Sequence, residues 1–386
     1  MAARGKAKDG ALRVGLIGCG NISDIYLTNA ALFRDIAFTA CADIQGEAAE
    51  RQAKRYKIEA RPVDVLLASK DVDIVLNLTI PEAHAAVSLA GLEAGKHVYS
   101  EKPLATNVAD GERVMAAARA RGLRVGAAPD TVLGAGVQEA RRIIDAGEMG
   151  AVLTGAAAFM SHGMEHWHPN PGFFFRPGGG PVLDMGPYYI GTLVTLLGPV
   201  ASVVANGQKG FAERVVTTKN SPVKGAAIKV EVLTSLHALL EFESGAQVAF
   251  LTSWDVWRHG MAPLELHGTE ASLRVPDPNW FGGELKLAKG RGGWRRIGTD
   301  AQYLGRINYP KAKPLHANYR GLGLADMARA IKDKRPHRAN GDVGLHVLAV
   351  MAGILAAAET GKRVAIKQSC DKPAALGAAE VKGLVV

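Results

Sequence analysis

From residue 13 to residue 127, short apolar runs alternate with stretches whose apolar residues recur at helical spacing. The runs predict strands over 12–17, 36–42, 74–78, 97–100 and 124–127, and the intervening stretches predict helices over 22–32, 47–56, 84–94 and 108–121. Strand–helix alternation of this length implies parallel β-α-β units. The runs VGLIG, FTACA, DIVLNL and HVYS are continuous rather than alternating. That pattern is expected when helices cover both faces of a sheet. A doubly wound, Rossmann-like parallel sheet is the expected fold of this part.

The pattern changes after Ala127. One helix is predicted over 133–146, closed by Gly147. Strand-forming runs then follow over 153–160, 200–205, 228–242, 247–254, 263–267 and 271–275. Turn signals such as Glu243-Ser244-Gly245 and His267-Gly268-Thr269-Glu270 separate several of them. The expectation is an α+β domain built on a large, open, mostly antiparallel sheet. Helices are predicted over 319–332 and 342–360, with no clear pattern after Lys367. Two domains follow, 1–127 and 128–386, with the C-terminal helices able to pack back on the first.

A chain of 386 residues with 48% hydrophobic and 22% charged residues has ample material for two cores. Its net charge is +9, yet the Lys and Arg residues are scattered and no basic run is interleaved with aromatics. No nucleic-acid partner is expected. Met1–Gly10 is basic and polar, without the apolar core of a secretory signal. No uncharged apolar run of about 18 residues appears, so no membrane span is expected. Three cysteines, Cys19, Cys41 and Cys370, suggest no disulfide framework and fit a cytoplasmic setting.

The first strand runs into Gly18-Cys19-Gly20-Asn21-Ile22-Ser23, and a helix opens there. Gly18 permits the tight turn, Gly20 lets backbone approach a pyrophosphate, and Ser23 nearly meets the need for a third small residue. Amides at the helix start, around Asn21 and Ile22, can bind anionic oxygens. Asp43 ends the second strand about 20 residues past the turn, where a carboxylate accepts from a ribose 2′-hydroxyl. These features predict a dinucleotide site that prefers NAD to NADP, whose 2′-phosphate Asp43 would repel. Strand ends face the ligand crevice in such sheets, which makes Thr79, Pro81 and His84 candidates for cofactor contact; an ordinary loop with a surface histidine is the competing reading.

The strand over 97–100 ends in Glu101-Lys102-Pro103. A lysine there can donate to a substrate hydroxyl and favour the developing alkoxide. With the glycine turn and the acidic end of strand two, the run AGKHVYSEKP resembles the Gfo/Idh/MocA oxidoreductases. The run Gly178-Gly179-Gly180-Pro181-Val182-Leu183-Asp184-Met185-Gly186-Pro187-Tyr188 is similar to that family's GGG-x-x-x-D-x-G-x-H motif. The resemblance covers roughly residues 12 to 360. It implies NAD-dependent oxidation of a sugar or cyclitol carbinol, or the reverse reduction, with Glu101 and Lys102 beside the cofactor. It also implies a homodimer or homotetramer. Lys102 matches the family's catalytic lysine and Asp184 its second-motif aspartate, while Tyr188 stands where the family has histidine. Asp184 and Tyr188 are four apart and share a helix face. A neighbouring ammonium lowers a phenol's pKa, so Lys102 and Tyr188 can act as an acid–base pair; a core tyrosine and a first-turn capping aspartate are the alternatives.

The segment Ser161-His162-Gly163-Met164-Glu165-His166-Trp167-His168-Pro169 is rich in polar and aromatic residues. His162-x-x-Glu165-His166 matches an inverted zinc-protease pattern, but that chemistry needs a long helix, which Gly163 and Pro169 disfavour. No metal is assigned. Glu165, His166, Trp167 and His168 are instead candidates to hydrogen-bond and stack on a carbohydrate, with His166 or His168 an alternative proton carrier. Arg176 can pair with an anionic substrate or with a nearby carboxylate. His346 can face the cleft or pack inside, and the aromatic run 250–257 is expected on the sheet. Two rival functions stay open: redox-neutral hydrolysis or epimerisation with tightly held NAD, and a non-catalytic NAD-binding module.

Overall fold

The computed structural model describes residues 10–309 and 315–386; the expectation drawn from Met1–Gly10 falls, save for Gly10, outside them. The chain forms two compact units. The first comprises residues 1–134, 306–345 and 373–386, and the second residues 135–305 and 346–372.

In the first unit, β1 (Leu12–Ile17), α1 (Ser23–Asn29), β2 (Ile36–Ala42), α2 (Gly46–Tyr56) and β3 (Glu59–Ala60) follow in order. Then come α3 (Val63–Ala68), β4 (Ile74–Asn77), α4 (His84–Glu93), β5 (His97–Ser100), α5 (Val108–Ala120) and β6 (Val125–Ala127). The sheet order is β3-β2-β1-β4-β5-β6, all parallel. Its core includes Ile17, Leu66, Val75, Leu92, Val98 and Val114. Burying both sheet faces explains the continuous apolar runs. The edge strand β6 is covered by a later segment: Ala127 N–H donates to the Ala339 carbonyl at 3.1 Å, and Gly126 bridges to Asn340.

The second unit opens with α6 (Ala135–Asp145), β7 (Val152–Met160), α7 (Pro181–Leu197) and β8 (Val200–Gln208). It continues through β9 (Glu213–Val215), β10 (Ala227–Lys229), β11 (Ser235–Phe242), β12 (Gln247–Ser253) and β13 (Leu264–Gly268). Next are β14 (Ala271–Val275), β15 (Glu284–Lys289) and β16 (Arg295–Gly298). After α8 (Leu322–Lys332) of the first unit, α9 (Gly341–Thr360) leads to β17 (Val364–Ala365), and α10 (Ala378–Leu384) lies near the C-terminus. Nine strands form one sheet, β16-β15-β14-β13-β7-β12-β11-β8-β17. Only β7 and β12 pair in parallel among its described ladders. Helix α7 packs on β7, β11 and β12.

Two sequence expectations are corrected. The run 228–242 is not one strand: β10 pairs with β9 in a separate two-stranded sheet, and β11 begins only at Ser235. Between them, Val230 N–H is taken by the Ala212 carbonyl and Glu231 N–H by the Phe175 carbonyl, so the backbone changes partners. The aromatic run leaves the sheet at Ser253; Trp254 is buried and Trp257 is 75% exposed. Helix α9 is long and apolar enough to cross a membrane, but Leu348, Val350, Met351, Ile354 and Ala357 are buried inside the protein, as in a core helix.

Candidate active site

In the first unit, Gly18 directly follows β1 with φ +100°, and a Cβ there would stand 2.5 Å from the Leu78 carbonyl. Only glycine fits that approach. A Cβ on Gly20 would meet nothing within 4 Å, which leaves its backbone bare. Ser23 closes the turn from inside: it is fully buried, and its Oγ donates to the Gly20 carbonyl at 2.6 Å. Asn21 and Ile22 are exposed between them.

The Asp43 carboxylate accepts from Cys19 N–H at 2.7 Å and from Gln45 N–H at 2.8 Å. It thereby ties the turn to the end of β2, and each oxygen keeps a lone pair for a ribose hydroxyl. A cavity of about 390 Å³ opens here, lined by residues including Gly20, Asn21, Asp43, Gln45 and Arg51. That is the size of a small-molecule site. The bare Gly20 backbone and this cavity fit a dinucleotide. Gln45, Arg51 and Ile44, 97% exposed beside Asp43, were not singled out in the sequence. An apolar residue directly after a strand-ending acid was the available signal for Ile44.

The β4 and β5 ends form a second cluster. Asn77 is fully buried, and its Oδ1 accepts from Thr79 Oγ1 at 2.7 Å and Thr79 N–H at 3.2 Å. Pro81 opens the short turn that follows. His84 is not a surface residue in contact range of a ligand: it is 1% exposed. Its Nδ1 lies 2.6 Å from the Pro103 carbonyl and its Nε2 3.0 Å from the Thr79 carbonyl. Burial pushes its pKa down while the two carbonyls raise it. His84 clamps the Thr79 and Pro103 loops together, which corrects the cofactor-contact expectation.

Glu101 is 8% exposed. Its Oε1 accepts from the Tyr26 hydroxyl and its Oε2 from Lys102 N–H, both at 2.9 Å. Burial first, and the Glu101 charge next, hold the Tyr26 pKa well above the usual phenol range. Tyr26 therefore remains a hydrogen-bond donor. Glu101 thus positions the backbone of Lys102, which is half-buried at the end of β5.

In the second unit, Gly180 (φ +95°) precedes Pro181, the first residue of α7. Proline at that position loses no helical hydrogen bond. Asp184 lies half-buried in the first turn, and Tyr188, 7% exposed, follows one turn later. They share a face of α7. His168 Nδ1 accepts from Asn170 N–H at 3.1 Å, and the ring packs edge-on against Phe173 and Phe174. Burial lowers its pKa, and the charge of Asp184 acts in the raising direction. Trp167 is 61% exposed.

One expectation fails in this unit, and two alternatives are narrowed. Glu165 is 2% exposed and accepts from Arg214 Nη1 at 2.8 Å, so it is held inside rather than presented to a carbohydrate. Arg176 is exposed and, among the described residues, without the carboxylate partner that was one of its two alternatives. For His346 the packed alternative holds. His346 is fully buried; its Nε2 accepts from Val200 N–H at 2.9 Å, and its Nδ1 contacts the Gln368 carbonyl. His166 Nδ1 lies 2.7 Å from Thr217 Oγ1. The segment from His162 to His166 forms turns, not a helix, as the sequence predicts.

These features define a nicotinamide-dinucleotide oxidoreductase fold joined to a sheet-based second unit. The model for the oxidoreductase family with NAD-binding Rossmann fold matches residues 12–128, and that for the GFO/IDH/MocA C-terminal domain matches residues 137–274. The chain belongs to the Gfo/Idh/MocA family, and its first unit holds an NAD-binding Rossmann fold. It is 34% identical over 152 residues to inositol 2-dehydrogenase of Salmonella paratyphi B. That match covers 37% of this chain but only 44% of that relative's length. It is 31% identical over 272 residues to dTDP-3,4-didehydro-2,6-dideoxy-alpha-D-glucose 3-reductase of Streptomyces violaceoruber, covering 69% of this chain and 72% of that one. A solved levoglucosan dehydrogenase in complex with NADH and levoglucosan has the same fold, with a TM-score of 0.78 at 22% identity, over 93% of this chain and 100% of that one.

Proposed function

We propose that this chain transfers a hydride between NAD and the carbinol carbon of a sugar or cyclitol. The observation that carries the reading is Lys102, set at a strand end by the buried Glu101 within an NAD-binding fold. Relatives named for inositol and for a deoxysugar nucleotide support the substrate class. In the same reading, the first unit carries the cofactor and the second the substrate.

Bound NAD supplies the hydride acceptor, and Gly20, Asn21, Asp43 and Ile44 hold its phosphate and adenosine portions. The Lys102 ammonium donates to the substrate oxygen and stabilises negative charge as it develops. In the oxidising direction Tyr188 takes the hydroxyl proton as a phenolate and becomes the phenol; in the reducing direction the phenol gives that proton back. Asp184, one turn away, orients Tyr188. His168 is the less suited proton carrier. Its Nδ1 lone pair already accepts from Asn170, so the neutral ring presents N–H at Nε2 and acts as a donor to a substrate hydroxyl.

The chain works as a homo-oligomer through the open face of the large sheet, in a reducing cytoplasm. All three cysteines are free thiols, which fits that compartment. A panel of cyclitols, aldoses and anhydrosugars mixed with NAD or NADP, followed at the NADH absorbance band, tests the activity. NADH formation with one or more members is expected. Activity confined to NADP removes the role given to Asp43, and reduction of the nicotinamide by none of them, with NADH bound, removes the substrate class.

A further inference from the structure

The second unit brings three candidate metal ligands together outside the residues assigned to hydride transfer. His162, Glu165 and His166 each offer a donor atom, all within 4.8 Å of one another. Their hydrogen bonding is incomplete in a revealing way. Glu165 Oε2 and His162 Nδ1 are buried without a hydrogen-bond partner among the described residues. A buried carboxylate oxygen left without a donor keeps its desolvation cost uncompensated. Such an atom calls for a cation or a donor.

The position of His166 strengthens the case. Its Nδ1 lies 2.7 Å from Thr217 Oγ1, and its Nε2 lies 3.4 Å from Glu165 Oε1. That is long for a charge-assisted hydrogen bond. A cation held by both atoms would use each of them. The Thr217 contact is the kind of second partner that orients a ligating imidazole.

Charge permits it. Arg214 donates to Glu165 Oε1 at 2.8 Å and also to Asp255. One guanidinium between two carboxylates leaves a net negative charge beside the two histidines. Gly163, with φ +93°, is required because a Cβ would collide with Glu165 Oε2. Trp257 stacks on His162 at 3.3 Å between ring centroids and shields that side.

We propose that His162, Glu165 and His166 form a binding site for a divalent first-row transition ion of the zinc class, with remaining positions open to water or a substrate oxygen. Two imidazoles and one carboxylate suit zinc or cobalt, whereas magnesium and calcium prefer all-oxygen sets. Bound there, the ion ties the His162–His166 turn to the Arg214–Thr217 segment.

The test uses the full, untagged chain stripped with chelator and titrated with Zn²⁺ against a chromophoric competitor, then with Co²⁺. One equivalent per chain is expected, with a visible cobalt spectrum of low coordination number and no competition from Mg²⁺. His162→Ala, Glu165→Gln and His166→Asn should each abolish stoichiometric binding. Thr217→Val should weaken it about tenfold. His166 is 38% exposed, so its variant is the one least dependent on the fold; retained NADH binding verifies that each variant is folded. Absence of stoichiometric binding in the wild type, or equal binding by the wild type and His166→Asn, overturns the site. The readout needs no turnover, so its failure is separate from that of the hydride-transfer reading.

Discussion

His337 shows how one buried side chain couples the first unit to pH. It is 7% exposed, and its Nε2–H donates to the Val125 carbonyl at 3.0 Å. Burial lowers its pKa from 6.5 to about 4. The unfolded chain therefore binds a proton that the folded chain refuses between those values. The stabilisation is complete above pH 6.5 and is lost as pH falls through about 4, on the order of 3 kcal/mol in all. Asp130 acts in the opposite sense. Burial raises its pKa from 3.8 to about 6, so its contribution is present at low pH and lost as pH rises through about 6. His337→Gln keeps a donor for Val125 but cannot titrate. In urea denaturation from pH 7 to pH 4, the wild type should lose about 3 kcal/mol relative to this variant. Parallel pH curves would contradict the assignment. Such roles were hidden in the sequence because His337, His84 and His346 look like any other histidine until burial is known. Glu165 misled for the same reason: its partner Arg214 is 49 residues away.

At the scale of elements, the glycine turn separates two demands that look alike in sequence. Gly18 is enforced by the protein itself, by φ +100° and by the Leu78 carbonyl. Gly20 faces open space. Gly18→Ala should therefore lower stability by about 1–3 kcal/mol, read as a fall in the denaturation midpoint. Gly20→Ala should leave the midpoint within about 0.5 kcal/mol and weaken NADH binding, read by fluorescence titration. Equal midpoints for the two variants would sink the distinction. The strands of the first unit were legible because burial on both faces leaves unbroken apolar runs, as in β1, β2 and β5. The two-residue β3 and the six-residue α3 were too short to show a period. The break between β10 and β11 depends on carbonyl partners at Ala212 and Phe175, distant in sequence.

At the scale of the whole molecule, the uncovered face of the large sheet bears on assembly. Along β11, Leu236, Ala238 and Leu240 are buried while His237 and Leu239 are exposed. Leu239 lies in a cross-strand row with Ala249, Ala156 and Glu265. A row of small and apolar residues bordered by charge suits contact with a second copy. Light scattering should give a multiple of the chain mass, and Leu239→Glu should shift it towards the single chain with little loss of stability. A wild-type monomer would contradict the proposed oligomer. The sequence displayed the change of architecture after Ala127, from strand–helix alternation to a strand-rich stretch. It did not display that the first unit takes back residues 306–345 and 373–386, because those contacts join distant segments.

The central claim is hydride transfer to NAD with Lys102 polarising the substrate oxygen. The most direct measurement compares wild type and Lys102→Met, each with NAD and the best substrate found in the panel, in steady-state turnover and in NADH binding by fluorescence. The account predicts NADH affinity within about twofold of wild type and a fall in kcat of about 10²–10³-fold. Turnover by Lys102→Met close to that of the wild type would contradict it.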